Sequence, residues 1–500
     1  MSDGNSYRRI LGTSAVIGAA SIVNMVTSIA RVKVLALMLG PAGIGLLGMY
    51  NTIMSTAGAV AGMGFRYSAV REIASQISAG NDQALADLRA ALRYVMFLLG
   101  LIGAVSVYAF AGYLSDWSFG DLSHTASIAI LSIGVGVTVL SGAQTGLLSG
   151  YRDIAALAYV TVIGAVSGAL LAIVLIWWLG ESGIALVVTC TAAVPFLVAI
   201  YFTFRQPRPR RGPTLSGTLV QSWRLSRLGI VAMSTSFMVN VGVLAVRSLV
   251  IRELGEVANG FFQAAYGLSV MAVGILLTSM DADFTPRVSE KIAEPDEAER
   301  LVNEQAEVFF FVAGPLFLGL LAFAPLIINL LYSSDFVPAT PLLRWFVIGL
   351  LVKVAAFPLT VYLFALAARR WIVACEASWN ALYVLIVWAG IEDLGLAAVG
   401  IGFVVSQIWY LVMELFAIRV TGGFHWSRTN VSLAAIYAAL CTGVFVVSEY
   451  SVVAGYALGA VLTLASGAYG IRALGDRVGV SNFPKKAIEK LYRLMFDRRR

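Results

Sequence analysis

The sequence is poor in charge, cysteine and histidine. Asp, Glu, Lys and Arg make up 13% of its 500 residues, 59% are hydrophobic, and the mean hydropathy is +0.84. This composition excludes an ordinary soluble domain. The three cysteines, Cys190, Cys375 and Cys441, lie inside apolar runs, so we expect small core residues and no external disulfide. The two histidines, His124 and His425, show no metal-ligand spacing, and we expect no metal and no cofactor.

Enzyme signatures are also scarce. The sequence has no phosphate-binding P-loop and therefore no internal ATPase motor. The segment Asp281-Ala-Asp283 has the spacing of a metal-binding glycosyltransferase motif, but it directly follows an apolar run and has no soluble domain to hold a nucleotide sugar. We therefore do not expect an enzyme.

What the sequence does contain is a series of apolar runs of about 20 residues or more, long enough to cross a hydrocarbon core of roughly 30 Å. They lack two-residue alternation, which excludes a transmembrane barrel and leaves helices. We predict an all-α polytopic membrane protein with about 14 transmembrane helices. The predicted spans are residues 10–39, 42–64, 92–114, 124–147, 157–179, 184–204, 228–254, 257–281, 306–331, 341–367, 371–390, 395–418, 430–448 and 452–471.

The basic residues predict the orientation of these spans. With the N-terminus inside, 29 of the 35 Lys and Arg residues lie in inner segments. The outer loops, such as 115–123 and 391–394, contain none. This distribution follows the positive-inside rule and predicts that both termini are cytoplasmic. The net charge of +7 accordingly reflects membrane orientation and does not indicate nucleic-acid binding.

An internal repeat predicts two lobes of six helices each. Asn24 and Arg31 correspond to Asn240 and Arg247 at an offset of 216 residues. After a one-residue slip, Leu39-Gly40 corresponds to Leu254-Gly255, and Gly45 to Gly260. The halves are therefore parallel repeats around a central cavity, a known transporter arrangement. The predicted divisions are an N-lobe (1–212), a C-lobe (213–421), two additional helices (422–472) and a basic amphipathic cytoplasmic tail (473–500).

Three cytoplasmic segments have a distinct character. Residues 66–93 predict a surface helix before the third span. The basic segment 206–213, rich in proline, predicts the linker between the lobes. The tail has Ile488, Leu491 and Met495 on one face among basic residues. Two interpretations of the tail stay open: it lies on the anionic inner leaflet, or its charge only fixes topology.

Cations inside the predicted spans are the candidate functional residues. Arg31 lies roughly 13 Å and Arg247 roughly 12 Å along the helix from the following glycine turn, and Lys353 lies at a similar depth. A cation at the bilayer centre costs roughly 2.5–3.5 kcal/mol, so we expect these three to bind an anionic, phosphate-bearing group. Asn24 shares a helix face with Arg31, as Asn240 does with Arg247. The alternative for both arginines is a structural bond to helix carbonyls at the lobe interface.

Other charged residues in the spans have more open roles. Lys33 points to nearly the opposite face from Arg31, and it either snorkels to the outer interface or binds substrate. Arg252 and Arg344 lie near span ends, where we expect interface anchors. Glu376 and Glu414 either carry a coupling ion, pair with a cation, or are structural carboxylates.

Several motifs in this order resemble the polysaccharide transporter family. These are Wzx-type flippases within the multidrug/oligosaccharidyl-lipid/polysaccharide exporter superfamily. The similarity is greatest to the O-antigen and enterobacterial-common-antigen type. It lies in Arg31-x-Lys33, the turn Gly40-Pro-Ala-Gly-Ile-Gly45, Gly62-Met-Gly-Phe65, Ser149-Gly-Tyr-Arg-Asp153, the surroundings of Arg247, Val352-Lys-Val354 and Cys375-Glu-Ala377.

The resemblance implies a flippase that moves undecaprenyl-pyrophosphate-linked oligosaccharide from the cytoplasmic to the periplasmic leaflet of a bacterial inner membrane by alternating access. Its cavity cations would be Arg31, Lys33, Arg247 and Lys353. Implied partners are the lipid-linked oligosaccharide, membrane lipids and, in lipopolysaccharide or exopolysaccharide synthesis, a polymerase and a chain-length regulator. The alternatives are a drug or metabolite exporter of the same superfamily, or a membrane polysaccharide polymerase or ligase. The chain departs from its shorter relatives in the added helix pair and tail after residue 420.

Overall fold

The computed structural model describes residues 3–207, 209 and 212–477, and the regular structure in these residues is helical throughout. The expected all-α fold is thereby confirmed for the described part of the chain. The predicted amphipathic tail lies outside the described residues. The helices are α1 (Asp3–Gly62), α2 (Phe65–Ser78), α3 (Asp82–Ala109), α4 (Ala111–Phe119), α5 (Thr125–Gly150), α6 (Ile154–Leu179), α7 (Ile184–Arg205), α8 (Leu215–Lys291), α9 (Pro295–Ala322), α10 (Ala324–Leu331), α11 (Thr340–Ala365), α12 (Arg369–Leu394), α13 (Leu396–Gly422), α14 (Arg428–Tyr450) and α15 (Val452–Arg477).

Each of the fourteen predicted spans lies on one or two of these helices. Within the described residues, ten helical stretches are long and apolar enough to cross a membrane. Two of them, Gly18–Gly62 and Ile154–Arg205, contain two predicted spans each. One prediction was wrong in detail, because the expected surface helix at 66–93 ends at Ser78 as α2 and the rest belongs to α3.

The helix boundaries repeat at an almost constant offset. Helices α5 and α11 begin and end 215 residues apart, and so do α6 and α12. Helices α3 and α9 have the same length, and each is followed after one residue by a short helix. The positive-φ residues follow the same spacing, since Arg152 pairs with Ala367 and Gly180 with Gly395. The internal repeat predicted from the sequence is confirmed at the level of these elements.

Two glycines kink the first helix of each repeat in the same way. Gly40 has φ 61° and ψ −169°, and Gly255 has φ 85° and ψ 176°. This backbone region is open essentially to glycine alone. Each kink lets one continuous run of residues form two helical segments, which correspond to predicted spans one and two in α1 and seven and eight in α8.

The described chain divides into two compact units. Unit 1 comprises the chain up to Gln263 together with Leu331–Phe336. Its core includes a cluster in which α2, α3 and α5 pack together through residues such as Ile73, Leu88 and Leu147. The kinked segments of α1 and α8 also approach each other closely here, because a Cβ at Gly45 would lie 2.7 Å from the Gly260 nitrogen.

Unit 2 comprises Ala264–Leu330 and the chain from Val337 onward. The added helices α14 and α15 pack against α9, with small residues at the contacts, and Arg477 pairs with Glu307 of α9. At the other end, Arg344 of α11 pairs with Glu449 of α14 at 2.9 Å. Arg344 is 4% exposed, so its expected role as a membrane-surface anchor is wrong. The lobe boundaries predicted at residues 212 and 421 stay a prediction.

Candidate functional site

Arg31 borders a small internal cavity of unit 1. The cavity has a volume of about 60 Å³ and lies among α1, α6 and α7, with Gln263 and Tyr332 completing its wall. Asn51 and Thr191 add polar groups, and no acidic residue lines it. A volume of this size holds a few water molecules but no pyrophosphate. Any larger anion beside Arg31 therefore requires a conformation in which these helices have separated.

Arg247 lies in a buried polar network. Its side chain is 2% exposed, donates hydrogen bonds to Gln263 Oε1 and to Asn259 Oδ1 (3.4 Å), and stacks over the Phe262 ring at 4.7 Å. Asn259 in turn donates to the Gly45 carbonyl oxygen at 2.7 Å. The guanidinium is therefore fixed by the second segment of α8, which is bonded to the second segment of α1.

The two arginines occupy different helix faces, which corrects their predicted equivalence. Arg31 lies nine residues before its kink glycine, whereas Arg247 lies eight residues before Gly255. One residue rotates a side chain by about 100° around an α-helix. Since the structural repeat has an offset of 215 and not 216, Arg31 faces the cavity wall while Arg247 faces the packed interior.

Gln263 connects the two arginines, because it bonds Arg247 and also lines the cavity of Arg31. Its approach depends on Gly48 of α1. A Cβ at Gly48 would lie less than 3 Å from both the Gln263 amide and the Arg247 guanidinium. The sequence gave no signal for Gln263, since it is brought to Arg247 across the kink at Gly255.

The other predicted ligands in unit 1 do not line this cavity. Asn24 is exposed on α1, and Lys33 is half-buried. Asn240 is half-buried and donates to the Ser236 carbonyl oxygen at 2.7 Å in its own helix. The expected shared face of Asn24 and Arg31 is present as helix geometry, but only Arg31 is among the residues that surround the cavity.

Lys353 lies in unit 2, on α11, with its ammonium nitrogen 5.8 Å from the centre of the Trp379 ring. The Trp379 indole nitrogen donates to Glu376 Oε2 at 2.7 Å. The lysine is thus held by a cation–π contact beside a helix that carries a carboxylate.

The two predicted acidic residues meet in a hydrogen-bonded cluster. The Tyr410 hydroxyl donates to Glu376 Oε1 at 3.1 Å and lies 3.3 Å from Thr360 Oγ1. Thr360 Oγ1 donates to Glu414 Oε1 at 2.6 Å. Glu414 is 1% exposed and forms no ion pair with any described residue. The sequence offered one overlooked signal here, since Tyr410 and Glu414 are four residues apart and share a face of α13.

Metal chemistry has no visible basis in the described residues. Across residues 3–207, 209 and 212–477, no group of three or more His, Cys, Asp or Glu side chains is placed to hold a metal ion. In the same residues the three cysteines are free, with Cys375 and Cys441 buried, as expected.

Comparison with known proteins gives a consistent set of relatives. Residues 34–341 match the family described as polysaccharide biosynthesis protein. The chain is 24% identical over 366 residues to the lipid III flippases of Escherichia coli (strain K12) and Shigella flexneri, a match that covers 72% of this chain and 86% of each relative.

Among solved structures, the chain is similar to the lipid II flippase MurJ in an inward closed conformation. The TM-score is 0.70 at 13% identity, with 93% of this chain and 99% of MurJ covered. It is also similar to an inward-facing multidrug resistance transporter of the MATE family, with a TM-score of 0.67 at 16% identity over 80% of this chain and 95% of that one. The family match covers more than half of the sequence, and the chain therefore belongs to the polysaccharide biosynthesis protein family, a multi-pass membrane protein with the transporter fold shared by MurJ and the MATE proteins.

Proposed function

We propose that this protein is a flippase for undecaprenyl-pyrophosphate-linked oligosaccharide, moving it from the cytoplasmic to the periplasmic leaflet of a bacterial inner membrane by alternating access. The family, the lipid III flippase relatives and the MurJ-like fold support a lipid-linked precursor as cargo. In this proposal both termini are cytoplasmic, as the basic loops predict.

The observation that carries the proposal is Arg31 beside an internal cavity without acidic lining. An arginine in a membrane-spanning helix is costly, and it is retained where an anion or a counter-charge uses it. A guanidinium offers paired donors that match two phosphate oxygens. Gln263 and Asn51 in the same wall add neutral hydrogen-bonding groups without cancelling the positive charge.

The remaining predicted ligands have graded roles in this proposal. Arg247 positions Gln263 and adds a positive field from the packed interior. Lys353 supplies a second cation from unit 2, and Lys33, Asn24 and Asn240 contact the cargo only in conformations in which α1 and α8 have separated from their neighbours. Cargo must bind inward- and outward-facing states with comparable affinity, because a strong preference for one would stall the cycle.

We further propose that Glu376 and Glu414 couple transport to a proton. A buried carboxylate without a cation partner is expected to be neutral, because the charged form is strongly disfavoured in a low-dielectric interior. Thr360 and Tyr410 link the two carboxyl groups, so one proton can be held at either.

A drug or metabolite exporter is the second candidate, favoured by this same buried acidic cluster. Exporters of cationic drugs need carboxylates in the transport cavity, and the cavity of Arg31 presents none. A polymerase or ligase is disfavoured because such enzymes typically carry a large outer loop, whereas α4 and α5 are separated by only a few residues.

The test is complementation in a strain whose surface polysaccharide depends on this protein. We expect Arg31→Ala to abolish surface polysaccharide at normal expression and Arg31→Lys to retain part of it, since the positive charge remains. A matched control is Arg71→Gln, a similarly basic but exposed residue of α2. Normal polysaccharide with Arg31→Ala would contradict the proposal.

A further inference from the structure

A second polar pocket in unit 1 shares no lining residue with the cavity of Arg31. It lies among α3, α5, α7 and the segment that joins α7 to α8, and its volume is about 550 Å³. Arg89, Arg93, Tyr94, Gln144 and Thr203 supply its polar groups. The volume is within the range of small-molecule sites, about 300–1,000 Å³.

The loop side of the pocket is fastened to α3. Asp87 Oδ1 accepts a hydrogen bond from the Thr214 backbone nitrogen at 2.5 Å, and Gln83 Nε2 donates to the Gly212 carbonyl oxygen at 3.0 Å. The carboxylate of Asp87 is buried against this loop and does not line the pocket. The pocket is therefore built by tertiary bonds, and its nearest acid is used in building it.

The positive charge of the pocket is not compensated. Arg89 donates to two neutral oxygens, the Tyr151 hydroxyl at 3.0 Å and the Pro207 carbonyl at 2.6 Å. Arg93, one turn further along α3, is exposed at the pocket. Within the part of the chain that the structure describes, neither arginine pairs with a carboxylate, and no Asp or Glu lines the pocket. Two fixed cations in one concave site attract an anion.

Thr203 provides an independent sign of a missing ligand. Its side chain is 9% exposed, and its hydroxyl has no hydrogen-bond partner among the described residues. Leaving a buried hydroxyl unpaired costs about 1–3 kcal/mol, so such a group calls for an acceptor. The Gln144 amide lies in the same wall and offers two further donors.

Aromatic side chains place the pocket at the depth of lipid headgroups. Tyr94 of α3 and Tyr201 and Phe204 of α7 are exposed around it, and the Arg205 guanidinium stacks on the Tyr201 ring at 4.5 Å. Exposed aromatic rings at helix ends mark the boundary between membrane and water. An anion that enters here is therefore expected to be attached to a lipid.

We propose that this pocket binds the phosphate-bearing headgroup of a lipid at the cytoplasmic surface, with Arg89 and Arg93 on the phosphate and Thr203 and Gln144 donating to its remaining oxygens. Basic pockets between membrane helices on this side bind such headgroups in other proteins. The phosphate has two sources, the diphosphate of a prenyl-linked cargo before it crosses, or the phosphate of bulk anionic phospholipid. The pocket thus goes beyond the transport site around Arg31.

The test measures lipid binding to the purified full-length protein by native mass spectrometry, using farnesyl diphosphate, phosphatidylglycerol and inorganic pyrophosphate as probes. Arg93→Gln removes one cation, and Thr203→Val removes only the unpaired hydroxyl at nearly constant shape. We expect about tenfold weaker lipid binding for the first and about fivefold for the second. Arg71→Gln, which removes an exposed cation of α2 outside the pocket, is expected to bind like the unaltered protein.

The pattern across probes identifies the source of the phosphate. Weakening for farnesyl diphosphate alone supports a cargo-loading site, and weakening for both lipids supports a general headgroup site. Lipid binding that is the same in Arg93→Gln, Thr203→Val and Arg71→Gln would overturn the proposal. Inorganic pyrophosphate binding as tightly as farnesyl diphosphate would overturn the assignment to a lipid. No step of this test requires transport, so its result is separate from that of the flippase proposal.

Discussion

At the scale of single residues, polar groups in the described helices sort into two kinds of surroundings. Arg31 faces a cavity without an acid, whereas Arg247 is enclosed by Asn259, Gln263 and Phe262. A single-residue difference in distance from the kink glycine produces this contrast. Gln263 belongs to both environments and is the residue through which the charge around Arg31 is most easily altered without disturbing α1.

Gln263→Glu places a carboxylate between the two arginines with almost no change in shape. We expect at least a tenfold loss of lipid-linked oligosaccharide transport in proteoliposomes, because the new charge neutralises the site and still bonds Arg247. The control is Gln263→Ala, which loses the bond to Arg247 but adds no negative charge, and its loss should be smaller. Equal or greater transport with Gln263→Glu would favour a cationic cargo instead.

Glu414→Gln keeps the oxygen that accepts from Thr360 but removes the ionisable proton. We expect flipping driven by a pH gradient to fall to the rate measured without a gradient, while binding of cargo is retained. Flux is followed in proteoliposomes with and without an imposed gradient. Glu392→Gln, an exposed residue near the end of the neighbouring α12, serves as control. A Glu414→Gln protein that still responds fully to the gradient rules out this proton site.

At the scale of elements, the kinked helices α1 and α8 divide each repeat into its first two spans. Ala cannot adopt the conformation at Gly40 without a penalty of about 1–3 kcal/mol, although no neighbouring atom lies within 4 Å of the added Cβ. We expect Gly40→Ala to lower the thermal unfolding temperature in detergent. Gly443→Ala, in the regular helix α14 and equally free of contacts, should raise it slightly, by about 0.5–1 kcal/mol of stability. If both substitutions act alike, the kink is not held by backbone conformation.

Sequence patterns were sufficient for the helices and their repeat but not for the site. Apolar length and basic loops locate the spans, because lipid permits only hydrogen-bonded helices there. The turns at Gly40 and Gly255 were readable as matching glycines. The face of Arg247 was not, since a one-residue offset is within the error of aligning a repeat by eye. Gln263 and Thr360 were missed because uncharged polar residues become informative only when folding brings them beside a charge.

At the scale of the whole molecule, the chain adds α14 and α15 to a transporter repeat. Within unit 2 these helices are fixed to the older elements by ion pairs at both ends, Arg344 with Glu449 and Arg477 with Glu307. Removing one partner of a buried pair costs more than the pair contributes, because the other charge stays behind.

Glu449→Gln tests this attachment. Glu449 is about half exposed, so we expect a loss of only about 1–2 kcal/mol of stability, measured as a lower thermal unfolding temperature. The double variant Arg344→Met with Glu449→Leu should recover most of that loss. Glu297→Gln, which breaks a surface pair with Arg300, should change stability by less than about 0.5 kcal/mol. Equal effects of Glu449→Gln and Glu297→Gln would mean that the buried pair does not hold the added helices.

The central claim is that Arg31 serves an anionic, lipid-linked cargo. The most direct measurement is flipping of a defined undecaprenyl-pyrophosphate-linked oligosaccharide in proteoliposomes, read as the fraction of glycan accessible to an external glycosidase. We expect the unaltered protein to equilibrate the two leaflets, Arg31→Lys to do so more slowly, and Arg31→Ala to remain near the rate of empty liposomes. Full-rate flipping by correctly folded Arg31→Ala would contradict the account.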